Sequence, residues 1–174
     1  VARVLQPENM VGLDYSANAV DFSNKNNAGD NLLFVEGDAE ELPFKDNSYD
    51  VVLNVESSHC YGNMHQFVHE VYRILKPGGY LSWADLRSME EGKALPLIFK
   101  NAGFMLEEER KITPQVLNAL DLIHDRKMKM IDENVPTIIQ SAFKDFAGVK
   151  DSKIYNAFKD GTAVYLQFVL QKSS

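Results

Sequence analysis

At 174 residues with 45% apolar side chains, the chain can bury one sizeable core and reads as a single domain. A formal net charge of -7 argues against a nucleic-acid partner, because phosphate binding draws on clustered Lys and Arg. The single cysteine, Cys60, excludes an internal disulfide, and no apolar run approaches the ~20 residues of a membrane helix, so the expectation is a cytoplasmic protein with no membrane partner.

The first residues, "VARVL", read as the tail of a helix that turns at Pro7. "NMVGLD", "NLLFVEGDA" and "YDVVLNVE" are short, β-branched-rich runs and read as three buried strands. Between the first two, Ser16 caps a helix with Val20 on its inner face; after the third, Phe67, Val71, Ile74 and Leu75 recur at helical spacing in "MHQFVHEVYRIL". That helix stops at "KPGG", and "YLSWADL" reads as a fourth strand. A further helix ends at Gly103, a strand runs from about Phe104 to Ile112, and Thr113 with Pro114 starts a helical stretch to Asp132. "PTIIQSAFKDFAG" is a second helical stretch, and "TAVYLQFVLQK" is a last strand expected to pair antiparallel with the strand before these helices. The alternation predicts an α/β fold with a mostly parallel sheet and helices on both faces.

In such a sheet ligands lie beyond the carboxyl ends of the strands. Asp14 stands at such an end, where a carboxylate can accept both hydroxyl hydrogens of a ribose, and Tyr15 follows with a face suited to adenine. Asp38 can accept from an exocyclic amine while the Ala39 amide donates to a ring nitrogen. Singly each acid reads as a cap or turn residue; at successive strand ends they point to a nucleoside site.

"VGLDYS", "FVEGDAEELPFKDNSYDVVLNVESSHCY" and "EVYRILKPGGYLSWADL" resemble successive motifs of the class I S-adenosylmethionine-dependent methyltransferases, over roughly Met10 to Arg87. Within them, "NVESSHCYGNMHQFVHEVYRILKPGGY" and "KITPQVLNAL" are similar to small-molecule and polyketide-type O-methyltransferases, mycobacterial phthiotriol methyltransferases included. The resemblance implies a Rossmann-like sheet, parallel with an antiparallel last strand, and S-adenosyl-L-methionine as cofactor. It implies Asp14 on the ribose, Tyr15, Asp38 and Ala39 on the adenine, and Asn54, Val55 and Glu56 facing the methionine portion. It places His59 near a small, hydrophobic, hydroxyl-bearing acceptor as general base, a task for which an imidazole is suited.

The resembled family carries a glycine-rich loop after its first strand, about twenty residues before Asp14. The chain has no such loop, so the expectation is a domain whose first strand and glycine loop are missing. "MVGLD" and "VVLNV" must then pair directly, leave a gap, or take a strand from a partner, a second copy of the chain included. Residues 113–162 are expected to form an inserted helical lid over the acceptor, on a core of 1–112 and 163–174, with Met128, Met130, Phe143, Phe146, Tyr155 and Phe158 as its apolar surface. The alternative function is a non-catalytic binding or oligomerising module. Three other patterns read as structural. Tyr72 to Lys76 has dehydrogenase-like spacing but meets a helix stop, His65 and His69 form no metal set, and Glu107 to Arg110 is a solvated strand edge.

Overall fold

The computed structural model describes residues 2–173. Helix α1 (Ala2–Leu5) leads into β1 (Met10–Asp14), and α2 (Ala17–Asn27) returns the chain to β2 (Leu32–Glu36). Strand β3 (Tyr49–Val55), a 3₁₀ turn (Ser58–Cys60), α3 (Met64–Ile74), β4 (Leu75–Ser88), α4 (Met89–Asn101) and β5 (Phe104–Lys111) follow. Then come α5 (Thr113–Leu122), α6 (His124–Asn134), a second 3₁₀ turn (Thr137–Ile139), α7 (Gln140–Phe146), α8 (Lys153–Asp160) and β6 (Ala163–Lys172).

The strands form two groups. β1 and β2 pair in parallel, and a separate sheet runs in the order β3, β4, β6, β5. β3 and β4 are parallel, while β6 lies between β4 and β5 and runs antiparallel to both. Among the described residues β1 and β3 do not pair directly, and each has a neighbouring strand on one side only.

Local signals account for most boundaries. Ser16 caps α2 by accepting from the Ala19 amide, and Asn63 caps α3 by accepting from the Gln66 amide. Ser88 and Glu91 make a reciprocal capping box at the start of α4. At the "KPGG" stop, Gly78 takes φ +78°, and a Cβ on Gly79 would stand 2.9 Å from the Lys76 carbonyl and 3.0 Å from that of Asp50. The stretch expected as one helix from Thr113 is broken at Ile123 into α5 and α6.

Both faces of the central strands are covered. Leu81 and Trp83 of β4, with Val164, Leu166, Phe168 and Leu170 of β6, pack on Phe67, Val68 and Val71 of α3 and on Leu95 and Phe99 of α4. Trp83, Phe99 and Phe168 interlock with ring centroids 5.2 to 6.0 Å apart. On the other face Ala84, Leu86 and Tyr165 meet α5 and α8. Tyr155 and Phe158, counted in the sequence as lid surface, are therefore core residues. Each such side chain contributes about 1.5–3 kcal/mol by leaving water. Met130, Phe143 and Phe146 are exposed. β3 departs from the buried strand expected of it, since Val51, Leu53 and Val55 are exposed along a strand that has a neighbour on one side only.

Candidate active site

Asp14 closes β1, and its Oδ1 accepts from the Ser16 amide at 2.8 Å, a turn that starts α2 with the carboxylate outside the core. The parallel register of β1 and β2 ends at Asp14 opposite Glu36, and the Gly37 amide donates to the Asp14 carbonyl at 3.0 Å. Asp38 is thereby carried beside Asp14, its Oδ1 accepting from the Glu40 amide at 2.8 Å. Ala39 is half-buried against the core, and Tyr15, 79% exposed, leaves its ring free. Asp14, Tyr15, Asp38 and Ala39 thus form one group, on the two-stranded sheet.

Asn54, Val55, Glu56 and His59 form a second group, at the end of β3. Asn54 is 7% exposed; its Nδ2 donates to the Tyr61 hydroxyl at 3.0 Å, and its Oδ1 is buried without a partner among the described residues. A buried acceptor left over at a strand end suits a ligand amine, which is what the methionine portion of S-adenosylmethionine carries. Val55 is exposed, and Glu56 takes a left-handed φ of +54° while its amide donates to the Ala84 carbonyl at 2.9 Å. The Glu56 carboxylate meets the Tyr165 phenol from β6, whose pKa is pushed up by burial first and by Glu56 second.

The two groups are bridged through the loop 37–48. Gly62 donates to Glu40 Oε1 at 2.7 Å, the Leu42 amide donates to Glu70 Oε2 at 2.8 Å, and Arg73 donates to the carbonyls of Leu42 and Phe44. α3 therefore holds the loop that carries Asp38.

The sequence reading missed the partner of His59. Register places Val55 opposite Ala84, so the next β4 residue, Asp85, lies under the 3₁₀ turn that follows β3. His59 Nδ1 is 2.7 Å from Asp85 Oδ1, and the His59 amide and Ser58 hydroxyl donate to Oδ2 at 2.9 and 2.8 Å. Burial opposes ionisation of Asp85, but the hydrogen bonds from His59 and Ser58 and the Arg87 charge outweigh it and hold the carboxyl below its ordinary range. An ionised carboxylate can only accept, so His59 Nδ1 is the donor in this bond and Nε2 is the ring nitrogen turned away from Asp85. The signal that points to Asp85 is the one used for Asp14 and Asp38, an acid near the end of a parallel strand.

The remaining patterns are structural. Lys76 is paired with Asp50 at 2.8 Å, while Tyr72 packs on Phe104 under the Lys172 ammonium, so the dehydrogenase-like pair Tyr72 and Lys76 is spent on separate contacts. His69 Nδ1 bonds the His65 carbonyl, and Arg110 pairs with Glu108 on the exposed β5.

A Rossmann-like α/β arrangement with one antiparallel strand set between two parallel ones, and polar groups at the strand ends, fits the frame of a class I methyltransferase. A family model described as a methyltransferase domain matches residues 1–83. The chain is 34% identical over 172 residues to the phthiotriol/phenolphthiotriol dimycocerosates methyltransferase of Mycobacterium tuberculosis, covering 99% of this chain and 64% of that protein. It is 28% identical over 172 residues to the fatty-acid O-methyltransferase of Mycolicibacterium smegmatis, covering 99% of this chain and 62% of that protein. The O-methyltransferase of a trans-AT PKS multienzyme of Brevibacillus brevis, solved with S-adenosyl-L-homocysteine, shares the fold with a TM-score of 0.74 at 16% identity, covering 99% of this chain and 61% of that one. These matches, with the fold, support a class I S-adenosylmethionine-dependent methyltransferase. It spans about 64% of the length of the first curated relatives it matches.

Proposed function

We propose that this chain supplies the donor- and acceptor-facing residues of a methyltransferase that methylates a hydroxyl group on a small, lipid-like acceptor. The observation that carries the reading is the His59–Asp85 dyad at the end of β3, beside an unsatisfied buried oxygen on Asn54. The lipid-like character of the acceptor is supported by the relatives, one named for phthiotriol dimycocerosates and one for fatty acids.

In this reading S-adenosyl-L-methionine supplies, when bound, an electrophilic methyl group on a sulfonium. Asp14 accepts from the ribose hydroxyls, Tyr15 covers the adenine, and Asp38 with the Ala39 amide reads the adenine edge. Asn54 Oδ1 takes the donor's ammonium, with Val55 and Glu56 lining the same end. His59 Nε2 removes the acceptor's hydroxyl proton as the oxygen attacks, and Asp85 steadies the imidazolium that forms. Such a displacement needs alignment and exclusion of water more than further chemistry. α6 and α7, whose Met130, Phe143 and Phe146 stand exposed, serve as the cover that receives an apolar acceptor.

The unpaired edges of β1 and β3, with Val51, Leu53 and Val55 exposed, favour a second reading, a module that binds or oligomerises through those edges without catalysis. Calorimetric titration with S-adenosylhomocysteine separates the two. Binding that Asp14→Ala weakens supports the enzyme; no binding together with a concentration-dependent dimer supports the module.

A further inference from the structure

Asp85 is fully buried, and every polar neighbour it has is a donor. Oδ2 accepts from the Ser58 hydroxyl and the His59 amide, and Oδ1 from His59 Nδ1 and, at 2.8 Å, the Leu86 amide. The fifth neighbour is a permanent charge: Arg87 Nη1 lies 3.2 Å from Oδ2. Arg87 is itself buried and fixed. Its Nη2 donates to Ser58 Oγ at 2.7 Å, its Nη1 donates to the Leu86 carbonyl at 2.6 Å, and its guanidinium lies 5.1 Å from the centre of the Trp83 ring. Trp83 Nε1 also donates to Ser58 Oγ, at 2.8 Å, so Ser58 is shared by the carboxylate, the cation and the indole.

A buried carboxylate facing only an imidazole draws a proton onto it, because an ion pair is better than a lone charge in a medium of low polarity. An imidazole already protonated is no base. We propose that Arg87 is a positioning residue of the dyad: as the countercharge of Asp85 it leaves the His59 imidazole neutral, with Nδ1 as donor and Nε2 free to take a proton. Ser58 aligns the pair by bonding both members. The other charges near the dyad do not substitute for Arg87. Glu56, after β3, is a further negative group and meets the Tyr165 phenol of β6, while Lys127 of α6 stands nearer Glu56 and donates to the Ala147 carbonyl. Arg87 is the permanent cation within ion-pair distance of Asp85 among the described residues.

The inference rests on His59 as the base, and its test does not need turnover. Nitrogen-15 NMR of the histidine side chains in this chain at pH 7 distinguishes a bare ring nitrogen from a protonated one. The expected wild-type spectrum shows His59 with Nδ1 protonated and Nε2 bare. Arg87→Met converts both nitrogens to the protonated form, Arg87→Lys keeps the bare Nε2, and the double variant Arg87→Met/Asp85→Asn returns a neutral ring with one bare nitrogen, because neither charge remains. A wild-type His59 with both nitrogens protonated at pH 7 overturns the proposal without any variant, so a failure of Arg87→Met to fold does not protect it. A bare Nε2 in Arg87→Met overturns it as well. Where methyl transfer is measurable, the acid limb of kcat moves to higher pH in Arg87→Met and stays in place in Arg87→Lys, at constant KM for the donor. Absence of donor binding with the expected spectrum removes the proposed function and leaves the charge arrangement standing.

Discussion

Glu70 and Arg73, one turn apart on α3, close on each other at 2.7 Å and between them hold both backbone groups of Leu42: Glu70 accepts its amide and Arg73 donates to its carbonyl. Arg73 reaches Phe44 and Asp46 as well. These contacts set the loop that carries Asp38 and Ala39 against the sheet that carries Asn54 and His59. Arg73→Met and Glu70→Gln are expected to weaken binding of S-adenosylhomocysteine about tenfold, equivalent to ~1.4 kcal/mol, while kcat at saturating donor changes little. Titration calorimetry measures the first and steady-state rates the second. Unchanged donor affinity in both variants would show that the loop keeps its place without the clamp.

His59 and Asp85 act as a unit in the proposed chemistry. His59→Ala is expected to lower kcat by roughly 10²–10⁴ with donor affinity preserved, and Asp85→Asn to lower it through the wrong imidazole tautomer. A His59→Ala protein with wild-type turnover would end the general-base assignment.

Acid should destabilise the fold through three carboxyls held below their ordinary range: Glu70 by the Arg73 hydrogen bond, Glu91 by the Ser88 hydroxyl, and Asp85 by donors that outweigh its burial. Each has a lower pKa folded than unfolded, so its stabilisation is complete above the ordinary carboxylate range of about 4 and is lost as pH falls through the lower folded values. Thermal midpoints are expected to hold from pH 7 to 5 and to drop below about pH 4, with a shallower drop in Glu91→Gln. A midpoint independent of pH down to 3 would contradict the assignment.

Gly79 has no room for a side chain, because a Cβ there meets two backbone carbonyls, which cannot swing away as a side chain can. Gly79→Ala is expected to destabilise the domain by about 1–3 kcal/mol, the range for forced backbone shifts in packed regions. Urea unfolding of the two proteins provides the comparison, and equal midpoints would show that β4 accommodates the methyl group.

Most of the element order was legible in the chain because its signals are local. Ser16 and Asn63 announce helix starts, "KPGG" announces a stop, and the spacing of Phe67, Val71 and Ile74 marks the face that α3 buries. The missed break at Ile123 has no Gly or Pro to betray it. Tyr155 and Phe158 could serve as lid surface or pack the helices onto the sheet, since an aromatic pair at helical spacing carries no mark of which neighbour it will face, and both are buried.

The sequence by itself determined the strand-end acids Asp14 and Asp38, the histidine after β3, and the alternation that makes an α/β sheet, all features set within a few residues of chain. Only the tertiary structure decided that His59 meets Asp85 across 26 residues, that Arg87 sits on the far side of that carboxylate, and that α3 clamps the loop 37–48. It also decided that β1 and β3 stand in separate sheets, leaving Val51, Leu53 and Val55 exposed. The physical reason is that strand register, not local propensity, fixes which side chains from distant segments share a buried site. A shift of one residue between β3 and β4 would turn Asp85 to the opposite face of the sheet.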